Sequence, residues 1–257
     1  MSAFEMWTAF LTIVTKEIRR YLRIWPQTLL PPAITMSLYF VIFGALIGSR
    51  IGEMGGFSYM QFVVPGLIMM AVVTNSYSNT VSSFFGTKYN HSLEELLVSP
   101  TPNWIILAGY VVGSVSRGLL VAVIVTCLSL FFSELRVQHV GVTILVVLLT
   151  SILFSLFGFI NAVYANSFDD ISIVPTFILT PLIYLGGVFY SLDLLPDFWA
   201  GVSKLNPLVY VVNGFRYGVL GVSDVDVGVA LGMICLFTVM SLAFCLRLLH
   251  TGTRLRD

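Results

Sequence analysis

The sequence predicts an all-α, polytopic integral membrane protein with six transmembrane helices, an amphipathic interface helix at the amino terminus, and a broken apolar segment between spans five and six. Three observations carry this. Of 257 residues, 57% are hydrophobic and only 10% charged, against about 25% charged in an ordinary soluble domain; mean hydropathy is +0.94. No soluble core could bury so much apolar surface with so little polar material left to cover it, so the main solvent is lipid. The apolar runs are continuous rather than alternating, which argues against a strand-built barrel, and they reach the ~20 residues a lipid-crossing helix needs.

Residues 1–25 are the first element. Phe4, Trp7, Leu11, Val14, Ile18, Tyr21 and Trp25 recur at steps of three and four, while Glu5, Thr8, Thr12, Lys16, Arg19 and Arg23 take another face. That is an amphipathic helix lying in the membrane interface with its basic side towards anionic headgroups. A signal peptide would place its charge before the apolar region; here the basic cluster follows it. The helix serves either as a plain anchor or also as a prop for a soluble partner.

The membrane domain then occupies 26–257, with spans expected at 28–48, 59–84, 104–132, 140–165, 171–190 and 227–249. An even number puts both termini on one side. Lys16, Arg19, Arg20, Arg23, Lys88, Arg247, Arg254 and Arg256 flank the terminus side, and Arg50, Arg136, Lys204 and Arg216 the other. The excess places both termini in the cytoplasm.

Enzyme chemistry finds no foothold. His91, His139 and His250 are scattered, and neither H-E-x-x-H nor G-x-S-x-G occurs. The three lysines follow Thr15, Thr87 and Ser203, so none is the lysine of a phosphate-binding loop. Cys127, Cys235 and Cys245 lie in apolar runs without metal-ligand spacing and read as small hydrophobes. Net charge of zero argues against nucleic acid as a partner. The chain itself is expected to bind no cofactor, and any nucleotide hydrolysis belongs to another polypeptide.

Several segments nevertheless look functional. Between spans two and three runs GTKYNHSLEELLVSPTPNW. Ser92 or Asn90 is the expected cap of a short helix over about 88–99, with Glu94 and Glu95 at its positive end, Leu93, Leu96 and Leu97 on one side, and Pro100 and Pro102 ending it. It is either an ordinary interfacial turn or a knob for a cytosolic motor domain, in which Lys88, Tyr89 and Ser92 join the contact. Asp169 and Asp170, between spans four and five, suit a helix start or a second partner contact. Arg117 falls near the middle of span three and should face the bundle interior, towards Asn75, Asn79 or Asn161, as an interhelical clamp or as a substrate contact. The pairs Gly44–Gly48 and Gly109–Gly113 have the spacing that lets membrane helices approach closely. Residues 188–226 are apolar and aromatic but broken by Pro196, Gly201, Pro207 and Gly214; they form an outer cap or a re-entrant gate. Pro175 and Pro181, inside span five, should kink or loosen it.

The runs LIYLGGVFYSLDLLP and NPLVYVVNGFR resemble the signature of ABC type-2 transporter permeases, with Gly186, Gly187, Pro196, Pro207, Leu208, Tyr210 and Arg216 at the pattern's positions. GFSYMQFVVPGLIMM and FDDISIVPTFILTPL also resemble stretches of the family's inner-membrane members in Gram-negative bacteria. The resemblance implies two copies of this chain with two of a separate ATPase that holds ATP and magnesium. It makes residues 88–99 the coupling helix and 188–226 the re-entrant helices, and it implies export of an amphiphile such as a lipid, a lipid-linked glycan or a hydrophobic drug. On that basis the translocation pathway involves Asn75, Asn79, Arg117 and Asn161. The alternative is a nucleotide-independent channel or scaffold that docks a different partner on the same knob.

Overall fold

The computed structural model describes residues 1–254. Helix α1 (Ala3–Arg23) starts at a capping box: Glu5 N–H donates to Ser2 Oγ, and Ser2 N–H donates to the Glu5 carboxylate. Helix α2 (Trp25–Gly48) opens on prolines and loosens into π-turns from Val41 onward. A hairpin follows, β1 (Glu53–Met54) against β2 (Phe57–Ser58). Gly55 and Gly56 both adopt positive φ at its tip, the geometry of a two-residue type I′ turn. The sequence pattern gave no warning of this hairpin, because its strands are too short to show alternation.

Helix α3 (Tyr59–Tyr89) is the axis of the molecule. Of its apolar window 83% is buried, against 12% for α2. It packs against α5 (Asn103–Ser129) and α6 (Val140–Tyr164), with the short α4 (Ser92–Val98) folded across the end between α3 and α5. Small residues set the approach distances: a Cβ on Gly158 of α6 would lie 2.5 Å from the Tyr77 carbonyl oxygen of α3.

Among the described residues, five helices are long and apolar enough to cross a membrane: α2, α3, α5, α6 and α10 (Val227–Thr251). The expected span at 171–190 is shorter than anticipated. It forms α7 (Asp170–Tyr184), with a π-turn at Pro175–Leu179. At ~1.5 Å per residue this helix reaches roughly 22 Å, short of the ~30 Å hydrocarbon core. Pro175 and Pro181 lack the amides that would continue its ladder, and the chain leaves the helix at Leu185–Gly187, where Gly187 takes φ 74. The segment 188–226 is not a surface cap throughout. After α8 (Asp197–Ser203) it forms α9 (Pro207–Leu220), which is almost wholly buried against α3, α6 and α10.

Helix α1 does more than lie on an interface. Ile13, Glu17 and Tyr21 form a buried stripe on α5, whereas Phe4, Trp7, Leu11 and Trp25 of the anticipated apolar face stay exposed. The seat is Gly109 and Gly113: a Cβ at Gly109 would come within 2.5 Å of Ile13 Cγ2, and one at Gly113 would overlap Glu17 Cβ. Gly44 and Gly48 form no such seat. Gly44 faces Met60 of α3, and Gly48 closes on the Phe43 carbonyl of its own helix.

Gly113→Ala is therefore expected to lower stability by about 1–3 kcal/mol through overpacking, read as the thermal unfolding midpoint in detergent. Gly86→Ala in α3, where nothing lies within 4 Å, is the matched control and should not lose stability. Equal midpoints for the two variants would refute the docking of α1 on this glycine pair.

Candidate functional site

Three polar assemblies stand out against the apolar bundle. The first surrounds α4. Its N-cap is His91, in the left-handed region at φ 56 and without a side-chain cap bond, rather than Ser92 or Asn90. Ser92 Oγ donates back to the Thr87 carbonyl at 3.1 Å instead, closing the reversal between α3 and α4. Leu93 is buried and Leu96 and Leu97 are half-buried, so the apolar side faces the bundle; Glu94, Glu95 and Val98 point outward. His91 Nδ1 lies 3.5 Å from Glu94 Oε1.

Lys88 is an internal tie. Its ammonium donates to the Val163 and Ala165 carbonyls at 2.8 and 2.9 Å, two acceptors at the carboxyl end of α6. Tyr89 packs edge-on against Phe168, and Phe85 does the same, joining α3 to the α6–α7 turn. In that turn the Asp170 carboxylate accepts from the amides of Asn166 and Ser167 at 2.9 and 3.2 Å, while Asp169 is exposed and makes no capping bond. Glu95, Leu96 and Ser99 also share a cleft of about 630 Å³ with Phe4, Thr8 and Lys16 of α1. The expected partner-facing residues thus gather at one end, together with the beginning of α1 and the described carboxyl end, where Arg254 lies over the Tyr164 ring.

The second assembly is a buried seam between α1, α3 and α5. Glu17, fully buried, accepts from Ser83 Oγ at 2.7 Å and from Arg20 Nε at 3.4 Å. Arg20 also donates to Asn79 Oδ1 at 2.8 Å, and Asn79 Nδ2 donates to Ser114 Oγ at 2.9 Å. One turn deeper, Arg117 donates to Asn75 Oδ1 at 2.9 Å and to the Thr28 carbonyl at 3.1 Å. The helical donor for Thr28 O would be the amide of residue 32, which is proline. Arg117 supplies the missing proton. Asn79 and Asn161 are not its partners; Asn161 donates to the Ile171 carbonyl at 3.3 Å, joining α6 to α7. Sequence inspection passed over Glu17, although its spacing of four from Ile13 and from Tyr21 marks the same face that meets Gly109 and Gly113.

The third assembly lies at the opposite end. Arg216 is wholly buried, with its guanidinium carbon 3.8 Å from the centre of the Phe62 ring. It donates to the Gly187 carbonyl at 2.7 Å and to Asn213 Oδ1 at 3.4 Å, and lies 3.9 Å from Asp224 Oδ2. Asp224 in turn accepts from the Leu192 amide at 2.8 Å. Tyr210 donates to the Lys204 carbonyl at 2.6 Å, and Gly186 leaves room for Leu208 just past Pro207, which opens α9. Asn206 caps α9 by accepting from the Leu208 amide and donates to the Leu182 carbonyl of α7. Pro196 stands apart, exposed, at the start of α8. Asn206, Asn213 and Asp224 were not singled out from sequence, because nothing local distinguishes them from turn residues.

A sequence profile described as ABC-2 type transporter matches residues 8–220. The chain is 58% identical over 251 residues to the inner membrane transport permease YadH of Escherichia coli (strain K12), covering 98% of each, and equally to that of Shigella flexneri. It is 22% identical over 229 residues to nodulation protein J of Neorhizobium galegae, covering 89% of this chain and 87% of that one.

Arg216→Met keeps bulk but strands the Gly187 carbonyl, and is expected to lose about 2–3 kcal/mol with faster proteolysis across 187–205. Arg136→Met, at an exposed position, should change neither. Unaltered proteolysis of the Arg216 variant would show that the guanidinium does not hold this end together.

Proposed function

The chain belongs to the ABC-2 type transporter family, and from that premise we propose that it is the membrane-spanning subunit of an ATP-driven exporter in the bacterial inner membrane. Two copies pair with two copies of a separate ATPase, which holds ATP and magnesium and performs all hydrolysis. Helix α7, although short, counts as the fifth of six crossings because Asn206 and Arg216 continue its tether into α9. The end carrying α4 faces the cytoplasm, in keeping with the basic residues gathered there.

The observation that supports this reading best is the construction of α4. A helix of seven residues has little stability alone. Here its inner side is anchored by Leu93, while Lys88 and Tyr89 tie its stem to the end of α6 and to Phe168. Its acidic side is left for a partner. A push on Glu94 and Glu95 is therefore carried into α3 and α6 rather than absorbed by a flexible loop. Closure of the ATPase dimer on ATP draws the two α4 helices together, and the permease interface opens outward; the nucleotide shifts the equilibrium only as far as this contact differs between the two states. The cargo class that suits an apolar bundle with few fixed charges is an amphiphile. Asn75, Asn79 and Arg117 serve the clamp between helices, and Asn161 lies nearest the pathway.

The double variant Glu94→Arg, Glu95→Arg is expected to uncouple ATP hydrolysis from transport in reconstituted vesicles, with insertion and thermal midpoint unchanged because both side chains are exposed. Hydrolysis still tightly coupled to transport would count against α4 as the contact. Failure of any soluble ATPase to co-purify with the native chain would favour a nucleotide-independent channel instead.

A further inference from the structure

Helix α3 is buried along most of its length, yet one row of it stays open. Met70, Thr74, Ser78, Ser82 and Gly86, spaced by four, are exposed or half-buried. Elsewhere the bundle exposes large apolar groups, Ile34 and Leu38 on α2, Val123 on α5, Val239 and Met240 on α10, as acyl-chain surroundings favour. The α3 row presents hydroxyls instead. Thr74 Oγ1 donates to the Met70 carbonyl at 2.8 Å and Ser82 Oγ to the Asn79 carbonyl at 3.2 Å. Each oxygen keeps lone pairs with which to accept.

The same row starts one turn earlier at Gly66, and there it is covered. A Cβ on Gly66 would lie 2.8 Å from the Val188 carbonyl oxygen and 2.9 Å from its Cα, so the strap formed by residues 187–190 rests directly on the helix. On another flank, Gly44 brings α2 against Met60 of α3. At roughly 100° per residue, Met70 and Thr74 point between Gly66 and Met60, and hence between the strap and α2. Phe189 closes the outer end of that opening. Its ring centre lies 4.6 Å from Phe43 and 6.4 Å from Tyr39 on α2, and 5.6 Å from Tyr184 at the end of α7. Its carbonyl accepts from the Tyr59 hydroxyl of α3 at 3.1 Å, and Arg216 holds the Gly187 carbonyl two residues before. One residue thus joins α2, α3 and α7 above the uncovered row, through ring contacts that add to plain burial.

We propose that residues 187–190 are the outer gate of a hydrated lane along α3. Phe189 is the ring that shuts it, and Thr74, Ser78 and Ser82 are the floor beneath. The row carries hydroxyls and no charged side chain, which fits the polar, uncharged part of an amphiphilic cargo. The proposal rests on the export reading for what moves and in which direction. Closure of the lane itself involves neither nucleotide nor ATPase.

The test reads thiol access in the full chain, with the exposed Cys127 and Cys235 replaced by alanine and a charged methanethiosulfonate as the probe. Such a reagent reacts with a thiolate, which forms in water and not in hydrocarbon. Spheroplasts present one membrane face and inverted vesicles the other; Glu94→Cys, at an exposed position, marks the face that carries α4. From that face Thr74→Cys should react about a hundredfold faster than Val123→Cys, the apolar exposed control on α5. From the opposite face it should be as slow as that control. Phe189→Ala should raise the opposite-face rate about tenfold, in line with the loss of its ring contacts. If Phe189→Ala fails to accumulate in the membrane, Phe43→Ala, which removes the nearest ring, decides by the same readout. Thr74→Cys as slow as Val123→Cys from both faces would put the row in lipid and overturn the proposal. A disulfide between two copies through Thr74→Cys would make it a packing seam, with the same consequence. So would opposite-face access that removal of the ring leaves unchanged. Glu94→Cys labelled in spheroplasts rather than inverted vesicles would count against the orientation in the export reading and leave the gate result standing.

Discussion

A backbone carbonyl at membrane depth has to find a hydrogen-bond donor inside the protein, because hydrocarbon supplies none. This requirement explains where the bundle places its cations. Thr28 loses its helical donor to Pro32, and Arg117 replaces it. Gly187 leaves the helix in a left-handed turn, and Arg216 takes its carbonyl. Val163 and Ala165 lie at the frayed end of α6, and Lys88 bridges them. In each case a basic residue that would be expensive if left alone in lipid is matched with an acceptor that would be equally expensive if left open. Two separate penalties cancel, and the chain is stitched at those points.

The stitches also link the two ends of the molecule. Helix α3 carries Lys88 at one end, Asn75 and Asn79 along its length, and Phe62 under Arg216 at the other. Because α3 is buried along most of its length, it has few ways to yield except as a rigid body. Helix α7 is the exception: it is short, doubly proline-broken and poorly packed.

Much of this was legible in residues alone, and the reasons differ by feature. Spans α3, α5, α6 and α10 were readable because continuous apolar length is a local property. The acidic helix was readable because acids, leucines and terminating prolines lie within twelve positions of each other. Glu17 was not, because a single acid on an amphipathic helix reads as solvated until the glycines of another helix are known to face it. The same holds for Gly109 and Gly113, whose spacing marks a close approach without saying which helix arrives.

Composition, hydropathy and charge placement were enough to establish life in a bilayer, a helical build and an exposed acidic segment, since each follows from the transfer energies of nearby residues. Only the tertiary structure could decide what Arg117 and Arg216 bind, that Lys88 faces inward and that α7 is shorter than the ~20 residues a span usually takes. Those outcomes depend on groups brought together from distant positions, and the energy of a buried polar contact resides in the pair and not in either residue.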